Sequence, residues 1–268
     1  MKDLKDKQKA LKKRIVELGR VAVAFSSGVD STYLLKTAHD LLGDNAIAIT
    51  AKAPCFMESE TEEAISFCQK EGIRHIVIDY NPLAVDEFKS NVKNRCYFCK
   101  KALFTEVKRI AEENDIKYIF DGTNADDTGD YRPGMKALGE LGIISPLLES
   151  GLEKAEIRTL SEALGLETFN KPSYACLASR IAYNEEITLS KLKMIEAAEE
   201  KLHSLGFWKS RVRMHGSMAR IEVEKEDFFN LILHSEEISA HLKSLGFTFV
   251  SMDLEGFKSG SMNREILK

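Results

Sequence analysis

Ala24-Phe25-Ser26-Ser27-Gly28-Val29-Asp30-Ser31-Thr32 joins an apolar run, Val21-Ala22-Val23, to Tyr33-Leu34-Leu35-Lys36-Thr37-Ala38. The first flank reads as a buried strand and the second opens a helix. The Ser/Gly cluster is therefore a strand-to-helix turn. Such a turn shows a row of backbone N–H groups at the positive end of a helix, and it binds anions. Gly28 is expected to allow close approach and to take a positive φ, while Ser26, Ser27 and Ser31 add hydroxyl donors. The pattern is not G-x-x-x-x-G-K-[ST], because it has no Lys. An ordinary Ser/Gly turn is the plain alternative at this level.

Outward from the turn, strands and helices alternate. Leu4, Leu11, Ile15 and Leu18 share one helical face, closed by Gly19. The helix from Ser31 runs to Leu42, and Gly43 stops it. Residues 46–50, 75–78 and 118–120 read as further buried strands. Ser59-Glu60-Thr61-Glu62 matches a capping box for a helix to about Glu71, and helices are expected over 83–92 and 99–113. This order predicts an α/β fold with a parallel, doubly wound sheet. Ligands of such sheets sit at the carboxyl ends of the strands, so two more strand ends join the candidate site. Ala51, in Thr50-Ala51-Lys52, is placed to border an adenine, and Gly122-Thr123 to let a nucleotide approach. Asp126 or Asp127 offers oxygen to Mg2+, or the segment is simply an Asx-rich turn.

The 268 residues are 44% hydrophobic and 30% charged, which suits a globular protein of one large or two modest domains. Met1-Lys2-Asp3-Leu4-Lys5-Asp6 is too charged for a secretory signal, and no apolar run approaches spanning length. A cytoplasmic chain without a membrane partner is expected. A net charge of −4 counts against nucleic acid, whose enzymes carry a basic footprint. Five cysteines without an export signal fit a reducing compartment, as thiols, metal ligands or catalysts. Arg95-Cys96-Tyr97-Phe98-Cys99-Lys100 carries C-x-x-C, which suits zinc, a redox disulfide or an iron–sulfur cluster. Cys176 is the third candidate ligand, in Lys171-Pro172-Ser173-Tyr174-Ala175-Cys176-Leu177-Ala178-Ser179-Arg180, a loop whose cations lower a thiol pKa. Three thiolates hold a 4Fe-4S cluster and leave one iron open to sulfide. With His75 as a fourth ligand they would suit zinc, and three unrelated thiols are the plain alternative. Cys68 reads as core, and Cys55 has no assigned role.

Past Arg180 the pattern changes to a small α+β unit, added near residues 181–187. It holds a helix over 188–205, strands over 210–214 and 219–223 around a His215-Gly216-Ser217 hairpin turn, a partly helical 227–245 and a last strand at 247–250. Residues 201–207 and 241–247 are alike, each a helix end with Gly leading into a strand. Arg211 and Arg213 alternate onto one strand face, suited to phosphate or carboxylate, or to ion pairs with Glu222 and Glu224. Glu196, Glu199 and Glu200 read as a solvated helix face. Domains are expected at 1–183 and 184–268.

The opening turn resembles the pyrophosphate loop, S-G-G-x-D-S, of ATP pyrophosphatases with the adenine nucleotide alpha hydrolase-like fold. Ser27 stands where that pattern has its first Gly. Further segments follow one family in order: Gly122–Asp127 with Asp130-Tyr131-Arg132-Pro133-Gly134, Ser145-Pro146-Leu147, Lys171-Pro172-Ser173 with Cys176-Leu177-Ala178-Ser179-Arg180, and Arg211-Val212-Arg213. Asp253-Leu254-Glu255-Gly256-Phe257 and Ser259-Gly260-Ser261-Met262-Asn263 complete the series. Over nearly its whole length the chain resembles the LarE family of ATP-dependent sulfur transferases. The resemblance implies ATP adenylylation of a carboxylate of pyridinium-3,5-biscarboxylic acid mononucleotide, then thiocarboxylate formation for the nickel-pincer cofactor of lactate racemase. It places pyrophosphate on Ser26, Ser27, Gly28, Asp30 and Ser31, Mg2+ near Asp126, and the substrate's phosphate or carboxylate on Arg211 and Arg213. It makes Cys176 the sulfur-transfer centre, and with Cys96 and Cys99 present it implies the cluster type, in which Cys176 is a 4Fe-4S ligand and the transferred sulfur sits on the open iron, rather than the type in which this cysteine is sacrificed as the sulfur donor. It also implies a homo-oligomer. Alternatives within the same loop chemistry are a tRNA thiolase, which lacks a basic RNA module here, and an amide-forming synthetase of the NAD synthetase kind. A nucleotide-binding regulatory module would bind ATP without releasing pyrophosphate.

Overall fold

The computed structural model describes residues 3–129, 133–172 and 175–258. Asp130–Arg132, Ser173 and 259–263, which carry part of the family resemblance, lie outside the described residues. Two compact units are present. Unit 1 comprises Met1–Ala53, Glu58–Asn81 and Cys96–Ser173, and unit 2 comprises Pro54–Met57, Pro82–Arg95 and Tyr174–Lys268. The boundary expected at 183/184 falls inside unit 2, which also takes in two earlier segments.

In unit 1, β1 (Val21–Ala24), β2 (Ala46–Lys52), β3 (His75–Asp79) and β4 (Tyr118–Phe120) form a sheet in the order β3-β2-β1-β4, all pairs parallel. Successive strand residues face opposite sides. Val21 and Val23 pack with Leu11, Ile15, Tyr33 and Leu34 on one side, whereas Ala22 packs with Ile47, Phe104, Val107 and Ile119 on the other. Helices thus cover both faces, which is why the strands read as unbroken apolar runs. The order turns back between β1 and β4, so the crevice of this doubly wound α/β fold opens at the carboxyl ends of those two strands. Beyond β4, Ile144 pairs with Phe120, and the Asp121 N–H donates to the Ile144 carbonyl at 3.0 Å. The sequence pattern did not show this extension.

Three helix boundaries differ from expectation. The helix of Arg95–Glu113 starts before Cys96, so the C-x-x-C pair lies at its N-terminal end. The helix expected over 83–92 is only Asp86–Lys89, because Asn91 just beyond it takes φ 54° and leaves helical space. Ser59 lies inside the helix Glu58–Glu71, and a capping box forms instead at Glu153 and Glu156.

Unit 2 is α+β. Its strands are β5 (Arg211–His215), β6 (Met218–Glu222) and β7 (Phe249–Met252), in the order β5-β6-β7. β5 and β6 are an antiparallel hairpin with Gly216 at φ 57°, as a tight turn requires, and β7 runs parallel to β6. The helix Leu189–Ser204 is capped by the Thr188 hydroxyl, which accepts the Lys191 N–H at 3.2 Å. Helices Phe228–Leu233 and Ser235–Ser244 follow. Gly206 and Gly246 both take positive φ, so the two similar segments share one way of ending a helix. Among the described residues no helix is long and apolar enough to cross a membrane.

Candidate active site

In unit 1 the turn after β1 is held by Ser31. Its hydroxyl donates to the Gly28 carbonyl at 3.2 Å, accepts the Ser26 N–H at 3.3 Å and lies 3.2 Å from the Ser26 hydroxyl. Gly28 does not take the positive φ expected of it. It is extended, with φ −76°, and Ser27 is the left-handed residue, at φ 50°. A side chain at such a φ is strained unless local bonds hold it. Here the Ser27 hydroxyl donates to the Glu60 carbonyl at 3.0 Å, and Lys171 Nζ reaches the Ser27 carbonyl at 3.2 Å and hydroxyl at 3.1 Å. The Ser27 hydroxyl, buried and bonded, thus shapes the turn.

The loop after β4 packs on the same helix end. A Cβ at Gly122 would come 3.2 Å from the Ser31 nitrogen, so a small residue there serves the approach of loop to helix. Asp30 accepts from Asn124 Nδ2 at 3.3 Å and from Lys154 Nζ. Exposed Asp126 accepts the Lys154 N–H at 2.9 Å. The Thr123 hydroxyl donates to Asp121, as does that of Ser145. Ala51 is half-buried near the end of β2, one residue past Thr50, whose hydroxyl donates to the Phe25 carbonyl at 2.8 Å. His75 Nε2 meets that same hydroxyl at 2.8 Å, and burial lowers the His75 pKa. Lys154 is the cation that sequence reasoning missed: it opens the helix Lys154–Ala163 and belongs to no recognisable motif. Lys171, which the sequence places in the cysteine loop, ion-pairs with Glu63 beside Ser27.

Unit 2 holds Cys176, half-buried, with a partner that the sequence left unassigned. The Cys55 thiol hydrogen-bonds to Cys176, and the Leu177 N–H donates to the Cys55 carbonyl at 2.8 Å. The Cys55 hydrogen bond is the largest influence on the Cys176 thiol. Burial opposes it, and the Ala178 N–H and the charges of Arg95 and Arg180 add to it. The net effect lowers the pKa to about 7, so the pair has its first proton poised near neutrality. Cys55→Ala should shift the pH midpoint of Cys176 alkylation upward, which peptide mass spectrometry would read. An unchanged midpoint would assign the effect to the two arginines.

Arg180 and Glu199 are fully buried together. Arg180 Nε and Nη2 grip Glu199 at 2.9 and 2.8 Å, and Nη1 donates to the Ala175 carbonyl and, at 3.1 Å, to the Cys176 carbonyl and the Ser179 hydroxyl. Burial, the largest single influence, pushes the Glu199 carboxyl up, but the charge and hydrogen bonds of Arg180, the Arg211 charge and the Val212 N–H together outweigh it and the net shift is downward. Glu199 is thus no solvated face residue. Arg213 donates to Glu222 at 3.0 and 3.1 Å and to the Ser179 carbonyl at 3.0 Å. Arg211 donates to the Ser210 carbonyl at 2.7 Å and stacks 5.2 Å from the Phe257 ring. Burial and the Arg180 charge lower its pKa to about 10, so it stays charged at neutral pH. Both are buried rather than on an open anion-binding face. Burial pushes the Cys68 thiol up to about 12, as a core thiol requires.

Cys96 and Cys99 belong to unit 1. Cys96 is exposed, whereas Cys99 is buried and its carbonyl and Sγ face the Tyr80 hydroxyl at 3.0 and 3.6 Å. Among the described residues no three His, Cys, Asp or Glu side chains are grouped to hold a metal ion.

No protein-family model matches the chain. An uncharacterized protein of Synechocystis is 40% identical over 267 residues, which is 99% of this chain and 100% of that one. The pyridinium-3,5-bisthiocarboxylic acid mononucleotide synthase of Lactiplantibacillus plantarum is 37% identical over 271 aligned positions, covering 100% of this chain and 98% of its own. A glutamine-hydrolyzing GMP synthase polypeptide of Thermoplasma volcanium is 26% identical over 202 residues, 68% of this chain and 63% of its own. The GMP synthase similarity covers only part of the chain, whereas the mononucleotide synthase matches it end to end at higher identity: the chain belongs to the LarE family.

Proposed function

We propose that this chain is an ATP-dependent sulfur transferase that converts the carboxylates of pyridinium-3,5-biscarboxylic acid mononucleotide to thiocarboxylates for the nickel-pincer cofactor. The observation that carries this reading is end-to-end similarity to a protein named for that product. GMP synthase similarity would favour amide formation, but it covers about two thirds of the chain at lower identity. In the proposed reaction the N–H groups and hydroxyls of Ser26 and Ser31, with Lys154 and Lys171, receive the phosphates of ATP. A substrate carboxylate attacks the α-phosphorus, pyrophosphate leaves, and a poor leaving group becomes AMP. Mg2+ takes one or two carboxylates plus phosphate oxygens. Asp126, exposed at this loop, would hold the ion, whose positive charge would offset that of the triphosphate. Lys154→Met should lower kcat/KM for pyrophosphate release roughly ten- to a hundredfold, the effect of one charge-assisted bond. Release at the native rate would remove Lys154 from the site.

Sulfur then comes from Cys176. Its thiolate attacks the acyl carbon and AMP leaves, giving a thioester. Loss of the Cys176 Cα proton with cleavage of Cβ–S leaves the thiocarboxylate and a dehydroalanine. One chain supplies one sulfur, so two carboxylates consume two chains. Cytoplasmic location and a homo-oligomer complete the reading. Exposed Phe229, Leu233 and Leu254 of unit 2 support the latter.

The test is the intact mass of anaerobically purified protein after one turnover, with iron and acid-labile sulfide measured beforehand. A loss equal to one molecule of hydrogen sulfide, mapped to Cys176, supports the sacrificial route. About four iron and four sulfide per chain with Cys176 intact after turnover would overturn it in favour of a cluster.

A further inference from the structure

Two guanidinium groups act on the Cys176 thiol, and they are in different states. Arg180 has an acceptor at every nitrogen: Glu199, two backbone carbonyls and the Ser179 hydroxyl. Arg95 does not. It is 5% exposed, and its Nη1 has no hydrogen-bond partner. A buried charged donor left without an acceptor is costly. Such a group is stable only if its seat is built for it, and here the seat is built. The guanidinium lies over the Tyr183 ring, 4.7 Å from the centroid. The backbone on either side is clasped: Asn91 Nδ2 donates to the Ala182 carbonyl at 2.7 Å and to that of Ile181 at 3.3 Å. The Asn184 N–H returns to the Asn91 carbonyl at 3.1 Å, and the Ile187 N–H to that of Lys89 at 2.8 Å. Asn91 is completely buried and holds φ 54° to make this clasp.

We infer that Arg95 is a substrate-binding residue whose open Nη1 takes a carboxylate oxygen of the group presented to Cys176. The inference rests on the proposed function for the identity of that group. A substrate with two carboxylates has one in reaction and one idle. The idle one is an anion that must leave water whenever the other meets the thiol. A stacked guanidinium with a vacant donor offsets that loss, and it fixes the ring relative to the sulfur. Arg213, by contrast, already gives its donors to Glu222 and the Ser179 carbonyl.

The test needs neither ATP nor turnover. Native protein is alkylated in parallel with iodoacetate, which carries a carboxylate, and iodoacetamide, which does not. Peptide mass spectrometry follows Cys176, with exposed Cys96 as the internal reference. The iodoacetate-to-iodoacetamide rate ratio at Cys176 should exceed that at Cys96 about tenfold, the effect of one charge-assisted hydrogen bond. Arg95→Gln should bring the two ratios together, and Arg95→Lys should keep part of the preference. Pyridine-3,5-dicarboxylate should protect Cys176 in the native chain. Equal ratios in the native protein would overturn the inference, whatever the fate of the variants. A preference that survives in folded Arg95→Gln would overturn it in favour of Arg180. Protection by inorganic phosphate alone would overturn the choice of carboxylate. A carboxylate preference without thiocarboxylate formation would leave the Arg95 site standing and remove the proposed function.

Discussion

Cys176→Ala should still release pyrophosphate from ATP and substrate, and should form no thiocarboxylate. The groups proposed to handle ATP, Ser26, Ser31, Lys154 and Lys171, all belong to unit 1, whereas Cys176 belongs to unit 2. The substitution removes one half-buried sulfur and leaves every bond of the β1 turn in place. Removing a nucleophile outright costs on the order of 10^4-fold or more in enzymes that depend on one. Product mass spectrometry and a pyrophosphate assay on the same sample would therefore part company. Pyrophosphate release that falls with product would mean that Cys176 acts before or during adenylylation, and the two-stage scheme would be wrong.

Glu199→Ala should destabilise the protein by about 3–5 kcal/mol, the cost of stranding a buried charge. The carboxylate holds Arg180 with two bonds and accepts the Val212 N–H at 2.9 Å. Typical total stabilities are only about 5–15 kcal/mol. Urea unfolding of the full chain would show the loss as a lower midpoint. Replacing both partners, Arg180→Met with Glu199→Leu, should recover much of it, because desolvation of the pair then no longer applies. A midpoint unmoved by Glu199→Ala would mean that the pair carries no net energy. The pH dependence follows in sign. The Glu199 carboxyl is lowered in the folded state. Its contribution is complete above the ordinary carboxylate range and is lost as pH falls through the lower folded value.

Strands and the strand-to-helix turn after β1 are legible because they depend on local patterns: apolar runs between helices, and serines and a glycine at a strand end. Gly28 and Ser27 exchange conformations relative to expectation because the hydroxyl of Ser27 finds the carbonyl of Glu60, a residue distant in sequence. The same reason hides the rest. Nothing near Cys55 marks it as the companion of Cys176, and nothing near Lys154 marks it as the partner of Asp30. Arg211 and Arg213 alternate as expected, but a strand pattern does not say which face a later helix covers. Glu199 reads as surface from its acidic neighbours, and Arg180, fixed elsewhere, draws it inside.

Unit 2 is assembled from three separate stretches of chain, and a ribosome delivers them far apart in time. At about 5–20 residues per second, Cys55 and Asn91 leave the exit tunnel several seconds before Cys176 and Ala182, their hydrogen-bond partners. Meanwhile the nascent polypeptide carries two early segments whose fold-mates do not yet exist. Translation pauses after residue 100 would lengthen that exposure, and a fragment ending at residue 172 would keep it permanently. The site around Cys176 is therefore among the last parts of the protein to mature.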